Sequence, residues 1–105
     1  MPPVGRPNVN NSYGPPDYPP PPFIPSISKA KAEGRTKVPG TGMICQYAIR
    51  NCKFKYTYIW LNNGLQFWTK PILINKNFIY CWIWNNLCWI YQKLAITDIH
   101  SFMCY

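Results

Sequence analysis

Lys53-Phe-Lys-Tyr-Thr-Tyr-Ile-Trp-Leu61 runs directly into Asn62-Asn63-Gly64. Phe54, Tyr56, Tyr58 and Trp60 fall on one side of a two-residue period, and Lys53, Lys55 and Thr57 on the other. Side chains alternate between faces along an extended strand, and Asn-Gly is a favoured hairpin turn. The stretch therefore predicts a strand over 53–61 that turns back on itself. It sets the class of the folded part as all-β, small and rich in aromatics.

Working outward from it, the same pattern repeats. Leu65–Ile74 reads as the returning strand, with Pro71 expected to bend it or to place it at a sheet edge. Asn75-Lys76-Asn77 turns into Phe78–Trp84, whose Phe78, Tyr80, Trp82 and Trp84 share a face. Asn85-Asn86 turns into Leu87–Leu94, Ile96–Ile99 suits a single 3₁₀ turn, and His100–Tyr105 suits a closing strand. Met43–Arg50 reads equally as a first strand or a short helical lead-in. Four or five short strands with Asn-rich turns make a meander, expected to form a small SH3- or Sm-like barrel or a twisted sheet.

Upstream the composition changes. Of the 12 prolines, all but Pro71 lie at or before Pro39. Proline lacks the backbone donor, so Pro19-Pro20-Pro21-Pro22 and its surroundings are expected to stay extended and solvated. Pro19 to Pro22 and Pro22 to Pro25 also match the PxxP spacing that SH3 and WW domains bind, against the simpler reading of a spacer. Ser28–Gly42 reads as a basic linker in which Ser28 would cap one helical turn over Lys29–Glu33, ended by Gly34. The expected division is thus a disordered arm and linker over 1–42 and an aromatic β domain over 43–105. Roughly 60 residues bury only about 60% of their unfolded surface, a marginal size for independent stability.

The formal net charge is +8. Arg6, Lys29, Lys31, Arg35 and Lys37 against Asp17 and Glu33 leave +3 in residues 1–42, and Arg50, Lys53, Lys55, Lys70, Lys76 and Lys93 against Asp98 leave +5 beyond. That balance favours polyanionic partners, or serves to keep an apolar domain in solution. Met1–Pro25 has prolines where an export signal has an apolar stretch, and Asn77–Gln92 is too short and too polar at Asn85-Asn86 to span a membrane. A cytoplasmic location is the expectation, with spore or surface association as the alternative.

Catalysis finds little to work with. One His and three acids offer no paired carboxylates, and Asp98 and His100 have no evident nucleophile beside them. No enzyme activity, cofactor or small-molecule substrate is expected. Cys45, Cys52, Cys81, Cys88 and Cys104 include two pairs with six intervening residues, wider than zinc-ligand pairs, so no metal site is expected. An odd count suits reduced thiols packed as small hydrophobes, with one intermolecular disulfide left open.

What remains is aromatics interleaved with lysines. A barrel needs an aromatic face on each strand to fill its interior, so Phe54, Tyr56, Tyr58 and Trp60 are expected to be core. Trp68 must point away from the face that Phe67 uses and is expected to be exposed. The candidate interaction surface is therefore Lys53, Lys55, Thr57, Trp68, Lys70 and Lys76. Self-association or protein docking through exposed aromatics is the leading expectation. Single-stranded nucleic acid, bound by stacking and lysine–phosphate contacts, is the alternative, and peripheral membrane attachment through Lys29–Lys37 a further one.

Tyr58-Ile-Trp-Leu-Asn-Asn-Gly-Leu-Gln-Phe-Trp68 resembles the C-terminal domain of small uncharacterised proteins from spore-forming bacteria that carry a Pro-rich head. Ala48-Ile-Arg-Asn-Cys52, Pro71, the Trp84-to-Trp89 spacing with Tyr91, and Ile99-His-Ser-Phe-Met-Cys104 extend the resemblance over residues 48–105. Cys81, Ile83 and Cys88 depart from it, standing where Gly or Arg is expected, and make the second hairpin more apolar. The resemblance implies a spore or cell-surface layer role, and a disulfide between Cys52 and Cys104 on the first and last strands of a closed barrel.

Overall fold

A computed structural model describes residues 12–105. The first part of the arm expected to be disordered, residues 1–11, lies outside the described residues. The fold is all-β at its centre: five antiparallel strands, β1 (Thr57–Leu61), β2 (Gln66–Ile74), β3 (Phe78–Trp84), β4 (Trp89–Ala95) and β5 (Ile99–Cys104). Their spatial order is β4-β3-β2-β1-β5. With β4 and β5 at opposite ends, the sheet is open rather than closed on itself.

The three hairpin turns are built the same way. Asn63, Asn75 and Asn85 each turn a side-chain oxygen onto a backbone N–H two residues on, of Leu65, Asn77 and Leu87 respectively. Such Asx bonds satisfy donors that the turn takes out of the ladder. Gly64, at φ +91°, closes the first turn in a backbone region that a Cβ would strain. The last of the three is closed by a bond from Asn85 N to Cys88 O (3.1 Å), which centres it on Asn86-Leu87, one residue beyond the Asn85-Asn86 turn expected.

One expectation for the founding stretch is corrected, and one alternative for the returning strand is settled. β1 begins at Thr57, not Lys53, because Phe54 takes a left-handed conformation (φ +67°) and breaks the extended run. Its N–H donates to Pro71 O (2.8 Å), a bond that holds the turn against β2. Pro71 itself bends an interior strand rather than marking an edge: the β2–β3 register shifts between Pro71 and Leu73.

Both faces of the sheet are covered. On one, Ile59, Ile79, Cys81 and Phe102 pack under α2 (Gln46–Arg50), with Ile44, Ile49, Ile96 and Ile99 completing a fully apolar cluster. On the other, Tyr58, Trp60, Trp68 and Met103 pack under Ala30 of α1 (Ile27–Ala32). Ser26, not Ser28, caps α1, accepting from Lys29 N at 3.2 Å. The expected core face holds for Tyr58 and Trp60, which are buried, and is corrected for Phe54, which is exposed, and Tyr56, which is half-buried; a second core, with Ile59, Ile79 and Phe102 fully buried, lies on the opposite face. Met43–Arg50 resolves as the helical alternative, since it must lay Ile49 across that aliphatic face.

Cys52 and Cys104 form a disulfide, with Cα atoms 5.6 Å apart. Cys52 lies in the turn after α2 and Cys104 at the end of β5, so the bond ties the α2 lid to the sheet instead of joining two strands across a barrel seam. The outer side of β5 is itself strapped. Lys37 N donates to His100 O (3.1 Å) and Phe102 N to Arg35 O (3.0 Å), while Thr36 bridges Ser101. Above that strap the Arg35 guanidinium reaches the Cys104 sulfur (3.6 Å) and lies over the Phe102 ring.

Candidate functional site

The aromatic face carries Tyr58 and Trp60 from β1, Trp68 and Lys70 from β2, Trp82 and Trp84 from β3, and Trp89 and Tyr91 from β4. Cross-strand pairs fix the rings against one another: Trp82 with Tyr91, Trp84 with Trp89, and Tyr58 with Trp68, all with centroids about 5 Å apart. Ring pairs of this kind stabilise a sheet beyond the area they bury.

Indole nitrogens are donors, and on this face Trp68 is buried while Trp82 and Trp89 are half-buried. All three find an acceptor in the proline-rich segment. Trp82 Nε1 donates to Tyr13 O (3.0 Å), Trp89 Nε1 to Tyr18 O (3.1 Å) and Trp68 Nε1 to Phe23 O (3.2 Å). Lys70 Nζ adds a fourth bond, to Gly14 O (2.9 Å). The three acceptors belong to Tyr13, Tyr18 and Phe23, which stand five residues apart. Prolines cannot use neighbouring carbonyls as helix or sheet partners, which leaves these oxygens free to meet the face. The rings of the segment dock as well: Tyr13 meets Phe54 edge-on (5.2 Å), and Phe23 meets Trp68 (5.7 Å) and Tyr105 (5.3 Å). The left-handed turn at Phe54 thus sets a ring where Tyr13 can reach it.

This corrects the expectation of a disordered arm, for the part that is described, while the single helical turn expected over Lys29–Glu33 is present as α1, shifted two residues earlier at its start. Residues 12–42 run across the aromatic face, form α1 and strap β5. The seat is not filled throughout. A cleft of about 550 Å³ lies between Pro19–Phe23 and Trp68 and Trp84, and one of about 390 Å³ between Pro15–Pro19 and Leu87–Trp89.

Electrostatics follow from the cover. Lys70 has its ammonium pushed below the usual lysine range by burial, with Asp17 opposing the shift. Tyr56 is pushed up by burial and by the neighbouring charges of Asp17 and Tyr18, and Tyr58 by burial. On the other face, burial pushes the Cys81 thiol up to about 12.

The residues singled out from sequence scatter. Thr57 is fully buried on the aliphatic side, its Oγ1 bonded to Lys55 O, and Trp68 is 6% exposed under Phe23. Those two are corrected as surface candidates, since both faces are covered and neither points to solvent. Lys70 belongs to the aromatic site. Lys55 and Lys76 are exposed in turns, and Lys53 lies over the Phe54 ring at 4.9 Å. His100, expected without a nucleophile beside it, does meet one: its Nδ1 is 2.8 Å from Ser101 Oγ. Ser101 is fully buried and donates to Thr36 Oγ1 (2.8 Å), so the pair fastens the strap. Among the described residues no three His, Cys, Asp or Glu side chains stand together as a metal site, and no helix is long and apolar enough to cross a membrane.

Sequence reasoning missed Tyr13, Tyr18, Phe23, Trp82 and Trp89 as one constellation. The usable signal was the five-residue aromatic spacing of the segment set beside a face rich in indole donors. No protein-family model, curated protein or solved structure matches the chain.

Proposed function

We propose that this chain is a small interaction protein whose aromatic sheet face receives a proline-rich segment, its own residues 13–24 being the tethered occupant. The carrying observation is the trio of indole bonds from Trp68, Trp82 and Trp89 to carbonyls five residues apart. Aromatic grooves that read proline-rich segments work this way: the stiff segment loses little entropy on docking, and its exposed carbonyls accept from the groove. The likeness to SH3 domains in this reading lies in how the segment is held, not in a closed barrel.

The ligand class is correspondingly narrow. It is an extended segment with an aromatic residue at every fifth position and prolines between, from another protein or from the arm of another copy. A tethered occupant competes at an effective concentration in the millimolar range, so an outside segment must bind tightly or be multivalent. The unfilled clefts beside Pro19–Phe23 favour such replacement. The Cys52–Cys104 bond supports action where disulfides persist, such as a cell or spore surface.

The reading is tested on the full chain with Tyr13, Tyr18 and Phe23 replaced by Ala, to weaken the tethered occupant. A peptide of residues 12–25 should then quench or shift tryptophan fluorescence in a saturable way, and a peptide with Pro19–Pro22 changed to Ser should do so more weakly. A folded variant, by near-ultraviolet circular dichroism, that ignores both peptides at millimolar concentration would sink the proposal.

A further inference from the structure

The two ends of the sheet are treated differently. Arg35–Lys37 straps β5, and the β1–β5 register shifts between Trp60 and Leu61. Strap and bulge are both common ways of blocking an edge. At the other end, β4 pairs with β3 without interruption from Phe78↔Ala95 to Trp84↔Trp89, and no described residue pairs with its outer side. β4 has no proline and no bulge, and one charged residue, Lys93. It is a regular seven-residue edge of the kind that accepts another strand.

Which backbone groups face outward follows from the hairpin. Its terminal bonds, Asn85 N to Cys88 O and Ile96 N to Asn77 O, fall at odd-numbered residues of β3 and even-numbered residues of β4. Antiparallel pairs alternate between bonded and unbonded, so Ile90, Gln92 and Leu94 bond inward to β3. Trp89, Tyr91, Lys93 and Ala95 therefore aim their N–H and C=O groups away from the sheet.

From this geometry we infer that the edge pairs with β4 of a second copy, antiparallel about a two-fold axis at Gln92. Outward-facing residues then exchange bonds as Tyr91 with Lys93 and Trp89 with Ala95, and Gln92 meets itself as an unbonded pair. The register is chemically matched. Lys93 lands beside Tyr91, a cation beside a ring, and never opposite its own copy. On the opposite face Ile90, 39% exposed, meets Leu94. The result is a continuous ten-stranded sheet on which the two aromatic faces run together. This pairing stands on the β4 edge alone and does not require the segment-binding reading.

The test is oligomeric state together with register, on the full chain. Sedimentation equilibrium should shift with concentration from 12.3 kDa toward twice that mass. In a Cys88→Ser background, Gln92→Cys should crosslink between copies on mild oxidation, because unbonded pairs bring Cα atoms to about 4.5 Å. Ile90→Cys should not, since its two copies lie four residues out of register, roughly 14 Å apart. Lys93→Pro, which removes an outward donor and no bond to β3, should leave a folded monomer. A monomer at every concentration, or crosslinking at Ile90→Cys equal to that at Gln92→Cys, overturns the proposal. Because the cysteine pair reports register without altering the edge backbone, it decides the matter even where Lys93→Pro misfolds.

Discussion

Ile59, Ile79, Cys81 and Phe102 on one side of the sheet meet apolar side chains, whereas Trp68, Trp82 and Trp89 on the other meet rings and backbone carbonyls together. The first cover, α2, is pinned by the Cys52–Cys104 disulfide. The second is an extended proline segment pinned by four hydrogen bonds and ring contacts, with clefts left beside it. On the first side, apolar packing dominates, and the buried hydroxyls of Thr57 and Thr69 are satisfied by backbone carbonyls of the sheet and its leading turn. On the other side, indole donors fix the segment by direction as well as by contact, which is the basis of the segment-binding reading proposed above. One sheet thus packs an apolar core on one side and seats the proline-rich segment on the other.

The difference can be broken most severely from the aliphatic side. Phe102→Ala, at a fully buried site, should cost about 3–5 kcal/mol by urea denaturation and take the aromatic face down with it. A loss under 1 kcal/mol there would mean that the core has been assigned to the wrong side. Reducing the disulfide, whose cysteines are 52 residues apart, should cost roughly 4 kcal/mol in the chain-entropy model. Coincident urea midpoints with and without a phosphine reductant would show that the lid is held by packing alone.

The pH dependence sharpens the contrast. The folded Cys81 thiol keeps its proton up to about 12, against an ordinary value of 9.0. Its contribution is fully present below pH 9 and is lost as pH rises toward 12, by about 1.4 kcal/mol per pH unit, since the unfolded chain ionises first. Tyr56 and Tyr58, also raised, act in the same direction from their own ordinary value of 10.0 upward. Cys81→Ala should flatten the decline between pH 9 and 10, and an unchanged slope would place the titrating group elsewhere.

The smallest effect on stability belongs to the aromatic side. Trp82→Phe deletes one donor to Tyr13 O and should cost about 1 kcal/mol. Its visible consequence is local: faster chymotryptic cleavage after Tyr13 and Phe23, with the disulfide-closed core intact. Equal cleavage rates for parent and variant would show that the indole bond does not hold the segment.

Much of this was legible beforehand, though unevenly. β3 runs over the residues its alternation marks, Phe78–Trp84, and the Asn-led turns fall where the polar clusters stand. Phe54 misled, because alternation carries no trace of a left-handed residue whose N–H is taken by Pro71 O. Thr57 was read as solvent-facing because a two-residue period separates the faces of a strand without telling which is outside. When both are covered, the polar member of the pattern is buried too.

The sequence by itself determined the strands, their hairpin order and the number of aromatic rings, because alternation and turn chemistry act over a few residues. Tertiary structure decided which face became core, that the sheet stays open, and that the proline segment lies down on the indoles. Those outcomes depend on donors and acceptors up to 71 residues apart, as in Trp89 to Tyr18, and no local pattern records where a distant carbonyl will come to rest.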